Sequence, residues 1–395
     1  MRSNGTRQKT QDRSLSASAS RLVLLIGGAL MAAGALYAQD SAISRDAVQF
    51  NLPSNAPLTI RGVSMDNSRA TARGAALALD LHMAVTLENK TGNRIHGVTL
   101  RVVAQEVVLG GKGSVTYPSL NVGPGESLPV RIDMQLMRPT QVANGPLVQV
   151  DLDGVLFQDL SFFGPDRLNS RRTLTACEME ARRDREHFKR VLAGSGKSGL
   201  QTEMLDSLKR QSETAQLAVT VRRSGRSVTG GSEHTAQFAF LKFPDSPIEP
   251  VRGEARISGN EARWPEIEVR NKSGRPVKYV EMGWIVSDPA GRQYMAGSLP
   301  SADSDVTLEP SHTGKLLQET TLSFSVKGQP VNVQKMMGFV SQVQFADGKI
   351  WVPNRENLDN AVLLRVLPPS AEEQRLADIY RKRGLDALVA ELNKF

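Results

Sequence analysis

Cysteine is nearly absent from this chain: 395 residues contain one, Cys177. A single thiol closes no intramolecular disulfide, so each domain must be held by core burial alone, which domains of about 110–120 residues can manage. Its spacing from Leu174 and Ala181 puts Cys177 on a helical stripe as a small apolar residue; pairing with a second chain is the alternative. Histidine is equally sparse. His82, His96, His187, His234 and His312 stand singly, with no His-x-x-x-His pair, so neither a metal site nor a cofactor is expected. No Gly-x-Ser-x-Gly elbow occurs and no Ser/His/Asp set stands out, so no catalytic residue is assigned and an enzyme is not expected. Aromatic residues make up only 5%. Their interleaving with basic residues, the mark of nucleic-acid binding, is missing. Of the three tryptophans, Trp284 and Trp351 fall at strand positions and read as core, whereas Trp264, before Pro265, is the candidate for an exposed aromatic.

Two look-alike motifs lack their structural context. Val191–Ser198 ends in Gly196-Lys197-Ser198 like a phosphate-binding loop, but it follows a charged helical segment where that loop needs a strand. Asp151-Leu-Asp153-Gly154 lacks the third ligand and the terminal Glu of a calcium loop and reads as a hairpin turn.

The net charge of +8 is unevenly spread. Residues 1–21 hold five basic side chains against Asp12, and Arg171–Arg226 hold thirteen against seven acids, leaving the rest slightly acidic. A mixed-sign cluster on a helix reads as a solvated face; binding to an anionic envelope polymer or lipid headgroup is the alternative.

The basic N-terminus precedes an uncharged apolar run, Leu22–Ala38, that ends in a small-x-small site before Gln39. This is a secretory signal pattern, and residues 1–38 are expected either to be cleaved or to remain as a signal anchor. Either way, the flanking positive charge places the remainder outside the cytoplasm, periplasmic or secreted.

What the chain does have is an internal repeat. Val85–Val98 reads VTLENKTGNRIHGV and Ile267–Val280 reads IEVRNKSGRPVKYV. Arg61-Gly62 echoes Arg252-Gly253, and Asp153-Gly154 echoes Asp347-Gly348. Repetition on this scale means two copies of one domain. Strict alternation, as in Leu77, Leu79, Leu81, Met83, Val85 and Leu87, marks half-buried strands between Asn, Gly and Pro turns. The expected fold is mainly β: two tandem Ig-like antiparallel sandwiches over 47–166 and 246–367. Asn89-Lys-Thr and Asn271-Lys-Ser fit the glycosylation pattern, but the Gly that follows each favours a turn role.

Between the copies the period changes to that of a helix. Residues 170–214 are expected to form a helical hairpin broken at Ala193–Gly199, and 215–245 a polar linker. Ser370-Ala-Glu-Glu373 is a capping box opening a helical segment over 370–395, which Gly384 interrupts. Leu174, Phe188, Leu192, Met204 and Leu208 form an apolar stripe on the hairpin, with Leu200 and Leu205 beside it; Leu385, Leu388 and Leu392 form a second in the last segment. These stripes are the candidate interface, either docked on a lobe or paired with a protein partner or a second copy.

The run VKYVEMGWIVSDPAGRQY resembles the FxLYD-type β-sandwich domain of bacterial exported proteins. Asn271, Gly274, Val280, Trp284, Asp288 and Gly291 occupy that family's turn and strand positions; the first copy keeps Asn89 and Gly92 but lacks the second turn. The resemblance implies a non-enzymatic, extracytoplasmic binding or structural module of the cell envelope and carries no catalytic residue. A signal-anchored protein whose outer domains sense a signal or assemble a complex is the alternative.

Overall fold

The computed structural model describes residues 40–141, 145–214, 217–223, 233–300, 302 and 305–395. The expected signal peptide or signal anchor, 1–38, lies outside the described residues. The protein is mainly β, with several antiparallel sheets and five α-helices among the described residues.

The first lobe contains β1 (Asp40–Ala42), β2 (Val48–Asn51), β3 (Leu58–Met65), β4 (Arg69–Arg73), β5 (Ala76–Asn89), β6 (Ile95–Val103), β7 (Lys112–Tyr117), β8 (Ser127–Pro139), β9 (Val148–Phe157) and β10 (Phe162–Phe163). β1, β4, β5, β3 and β8 form one sheet, and β10, β9, β6, β7 and β2 the other. Leu79, Leu81, Met83, Val85 and Leu87 of β5 point inward against Val98, Leu100 and Val102 of β6. The alternation read from the sequence is thus the alternation of core and solvent along β5.

The second lobe contains β11 (Leu217–Arg223), β12 (His234–Gln237), β13 (Ala239–Phe240), β14 (Ile248–Ser258), β15 (Glu261–Asn271), β16 (Val277–Ser287), β17 (Gln293–Pro300), β18 (Thr313–Leu317), β19 (Thr320–Val326), β20 (Gln329–Pro330), β21 (Lys335–Phe345) and β22 (Ile350–Trp351). Its sheets are β11-β19-β15-β14-β12, with β18 and β20 attached, and β13-β21-β16-β17, with β22 attached.

The segment 215–245 is not the polar linker expected from its composition. Its described parts supply β11, β12 and β13, which pair with β19, β14 and β21. Backbone pairing recruits strands whatever their side chains, and an edge strand needs only one apolar face.

The duplication extends to individual hydrogen bonds. The Asn89 carboxamide donates to the carbonyls of Asn93 and Val122 while its oxygen accepts from Thr91 N; Asn271 does the same with Arg275, Leu308 and Ser273. Both asparagines are fully buried, which accounts for the repeated Asn as the pin of a turn. A parallel β2–β9 pair answers a parallel β13–β21 pair.

Register corrects two of the echoes. Gly62 pairs with Thr86 and Arg252 with Glu268, so Arg252 matches Gly62, and Arg61 and Val251 are the extra residues of equivalent bulges. Asp347 matches Asp159, not Asp153: each accepts a hydrogen bond from the amide two residues on, in the turn after Phe345 or Phe157. Asp153-Gly154 is therefore no hairpin turn. Asp153 is the unpaired residue of a bulge inside β9, where Thr99 pairs with Gly154 and Leu100 with Leu152. Ser341 occupies the corresponding bulge of β21.

α1 (Ser170–Glu213) is two helices joined at Gly196, whose φ of 65° and ψ of −165° end the first. His187 Nε2 lies 3.5 Å from Glu203 Oε2. At 1.5 Å rise per residue a straight helix would separate them by about 24 Å, so the chain doubles back. The C-terminal part consists of α2 (Arg355–Leu358), α3 (Ala361–Val366), α4 (Ala371–Arg383) and α5 (Leu385–Leu392). Gly384, with φ 83°, separates the last two. α2 and α3 cover the outer face of the β16/β21 sheet, where Leu363 and Val366 meet Ile285 and Phe339. Among the described residues no helix is long and apolar enough to cross a membrane.

Candidate functional site

The two apolar stripes meet inside the chain. Phe188, Leu200 and Met204 of α1 form one buried cluster with Leu376, Ala377, Leu388 and Leu392 of α4 and α5, and Leu192, Leu208 and Leu385 pack partly buried against it. Leu205 stands outside this cluster and is exposed. Leu174 packs instead on Gly97 of β6, where a Cβ would lie 2.7 Å from the Leu174 methyl. The residues of the candidate interface thus pack, fully or in part, within this chain. Cys177 is half-buried.

Around that apolar contact lies a network of buried charge, which corrects the solvated-face reading of the mixed-sign helix for Arg172, Glu178, Asp184 and Arg185. Glu186, Arg190, Lys197, Asp206 and Lys209 are exposed as that reading expects. Glu178, Asp184 and Arg185 of α1 and Glu372 and Glu373 of α4 are all buried. Glu178 Oε1 receives Arg185 and Arg182 at 2.8 Å each and lies 2.9 Å from His96 Nδ1 of β6. Arg185 continues to Glu372 at 3.3 Å, and Arg375 joins Glu372 at 2.8 Å to Glu391 at 2.5 Å. Asp184 accepts from Arg183 at 2.8 Å and from Ser370 Oγ at 2.5 Å. The Phe395 ring lies under the Arg185 guanidinium, 4.0 Å from it, and edge-on to His96. Helical periodicity shows one apolar face; it cannot show that the charged faces are also covered, here by β6 and α4.

Burial by itself would push the Glu178 carboxyl up, yet His96 and Arg185 hold it below the usual carboxylate range. Asp184 is likewise held down, against its burial, by Arg183 and Ser370. Ser370 caps α4 as its sequence implies, accepting from Glu373 N at 3.0 Å. The Glu373 side chain turns away from that cap to Arg210 and Arg355.

α1 also ties the lobes together. At its start, Ser170, Arg167 and Leu168 donate to the Asp153 carboxylate. Arg172 reaches the second lobe, 2.9 Å from Asp305 and 3.9 Å from the centre of the Tyr279 ring. Asp153 had no distinguishing signal in the sequence beyond its Gly neighbour, which the turn reading absorbed.

Three surface features remain. On the outer face of β5, His82 stands 2.9 Å from Asp133 and 3.3 Å from Asp80. The Asp133 hydrogen bond holds its imidazole above the usual histidine value. On β15, Trp264 is 41% exposed, as its place before Pro265 suggested. On the loop after β6, Val107 and Leu109 are 88% and 98% exposed. Nothing in the composition singled out that loop, because two apolar residues in a short connection carry no periodicity. Among the described residues no group of three or more His, Cys, Asp or Glu is placed to hold a metal.

No family model and no curated protein matches this chain. Among solved structures, a protein provisionally assigned as ApaA from Bordetella pertussis aligns over 35% of this chain and 88% of its own, at 14% identity and a TM-score of 0.17. Red sea bream transglutaminase aligns over 75% of this chain and 31% of its own, at 8% identity and a TM-score of 0.12. Likeness of this degree carries no argument about activity.

Proposed function

We propose that this protein is a non-enzymatic, extracytoplasmic binding or structural module that makes protein–protein contacts in the bacterial cell envelope. The observation that carries the reading is Trp264. It sits in a break in the β14/β15 register, between Arg263 and Glu266, with a φ of 47°. A bulky side chain in that region is strained, on the order of 1–3 kcal/mol, and such strain persists where the surrounding fold imposes it. The bulge turns the indole outward, with the Arg256 guanidinium 5.1 Å from the ring centre. Leu317, opposite Glu266, is also exposed. Ion pairs rim the patch: Arg252–Glu268, Lys315–Glu266 and Arg263–Glu233. An exposed Trp beside Arg within a charged rim has the composition of a protein-binding hot spot. The buried charge network works for internal docking, which leaves surfaces of this kind for outside partners.

The N-terminal secretory pattern supports the extracytoplasmic part of the reading, as does the resemblance to FxLYD-type sandwiches. The test replaces Trp264 with a photo-crosslinking residue in cells, beside the same replacement at exposed Glu309. A discrete protein adduct confined to position 264 supports the proposal; identical patterns at both positions reject it. Trp264→Gly should remove the natural contact while leaving the melting temperature unchanged or raised, because glycine relieves the backbone strain.

A further inference from the structure

The loop that carries Val107 and Leu109 is closed by its own backbone. Ala104 N and Gln105 N both donate to Gly111 O at 2.8 Å, Gly111 N donates to Val108 O at 2.9 Å, and Met137 N of β8 donates to Gly110 O at 2.9 Å. A side chain at Gly111 would meet the Gln105 carbonyl at 2.2 Å, so the turn has no slack. Two nearly fully exposed aliphatic side chains are therefore held outward on a braced turn.

The position of the loop indicates what covers it. Asp40 pairs with Thr71, Thr71 with Ala78, Ala78 with Met137, and Met137 bonds Gly110. Four strand-to-strand steps of about 4.8 Å place the loop within about 20 Å of Asp40, at the same end of the lobe. Asp40 follows the apolar run Leu22–Ala38 by two residues, a span of at most about 7 Å. α1 packs on His96 at the far end of β6, and β6 carries the chain about 23 Å from there to Val103 before the loop begins. At the loop's end of the lobe exposed Arg73 and Lys112 are offset by exposed Glu106, 3.9 Å from Lys112, so contact there rests on the apolar side chains.

We propose that the Gln105–Gly111 loop is a membrane-contacting tip, with Val107 and Leu109 entering the interface of the bilayer that takes the Leu22–Ala38 run. This rests on the extracytoplasmic reading in its signal-anchored form. The tip would fix the first lobe against the bilayer.

The full-length chain is reconstituted into phosphatidylcholine vesicles with and without brominated acyl chains. All three native tryptophans lie in the second lobe, so Leu109→Trp adds a single first-lobe reporter. Brominated lipid should quench that added fluorescence at least twofold and leave Leu205→Trp, exposed on α1, unquenched. Absence of quenching at position 109 overturns the tip, whatever the N-terminus. A blue-shifted Leu109→Trp emission with doubled mass before lipid is added assigns the loop to a second copy and also overturns it. The intact mass of the chain isolated from cells tests the anchor separately. A chain beginning at Gln39 that still shows quenching upholds the tip and retires the anchor. An intact Met1–Ala38 segment without quenching retires the tip alone.

Discussion

Ser170 Oγ donates a 2.5 Å hydrogen bond to the Asp153 carboxylate, joining the first residue of the long helix to a bulge in the middle of β9. The carboxylate also accepts from the amides of Arg167 and Leu168, at 3.0 and 3.2 Å. One buried acid thus sets where the inter-lobe helix leaves the first sandwich. The matching bulge in the second lobe holds Ser341, and α2, the helix that follows the equivalent short strand β22, is capped by Asn354 instead. An acid at one bulge and a serine at the other is where the duplicated lobes part ways.

Asp153→Ala should cost on the order of 2–4 kcal/mol in urea unfolding, because it strips a charged acceptor from three donors at once. Asp347→Ala, on an exposed turn, should cost less than about 1 kcal/mol. Equal losses would restore the equivalence of the two Asp-Gly pairs that the register denies.

Acid should loosen the helical junction first. Glu178 and Asp184 are held below the ordinary carboxylate range in the folded chain. Stability from these groups is therefore complete above the unfolded carboxylate values and drains away as pH falls through the folded ones. Melting temperature measured from pH 7 to 3 should fall steeply, and Glu178→Gln should flatten that slope. At pH 7 the same variant should lose about 3–5 kcal/mol, because Arg185 is left buried with less compensating charge. A variant with wild-type slope and stability would remove Glu178 from the junction.

His82 should titrate above an ordinary histidine by NMR and return toward it in Asp133→Asn. The sign follows from its raised folded value: its contribution is present below the unfolded value and lost as pH rises through the folded one. Because the pair lies on an open sheet face, the melting temperature should change little across this range. An unshifted His82 resonance would show that the Asp133 contact does not persist in solution.

Removing Ser370–Phe395 uncovers Phe188, Leu200 and Met204. The shortened chain should lose stability, with no fall in mass by light scattering. The milder Leu388→Ala should cost about 2–5 kcal/mol as a cavity in a buried cluster. A drop in mass with unchanged melting would mean that these helices hold two chains together.

The sequence by itself determined the β content, the repeat, the Asn89 and Asn271 turns, the helical interruption and the Ser370 cap. Each rests on local chemistry: a period of two or 3.6 residues, a side chain that satisfies its neighbouring backbone, or a glycine that ends a helix. Only the tertiary structure decided what lay beyond that reach. Two-fold alternation cannot count the residues in a bulge, so Arg252 slid onto Gly62 and Asp347 onto Asp159. Composition hid the strands in 215–245, because an edge strand is stabilised by its neighbours' backbone. Charge pattern hid the junction, because Glu178 and Arg185 are covered by His96 and Glu372, which lie far off in the chain. Trp264 was legible as an exposed aromatic from the proline after it, whereas Val107 and Leu109 became a feature only once the fold left them outside, near the point where the chain enters the first lobe.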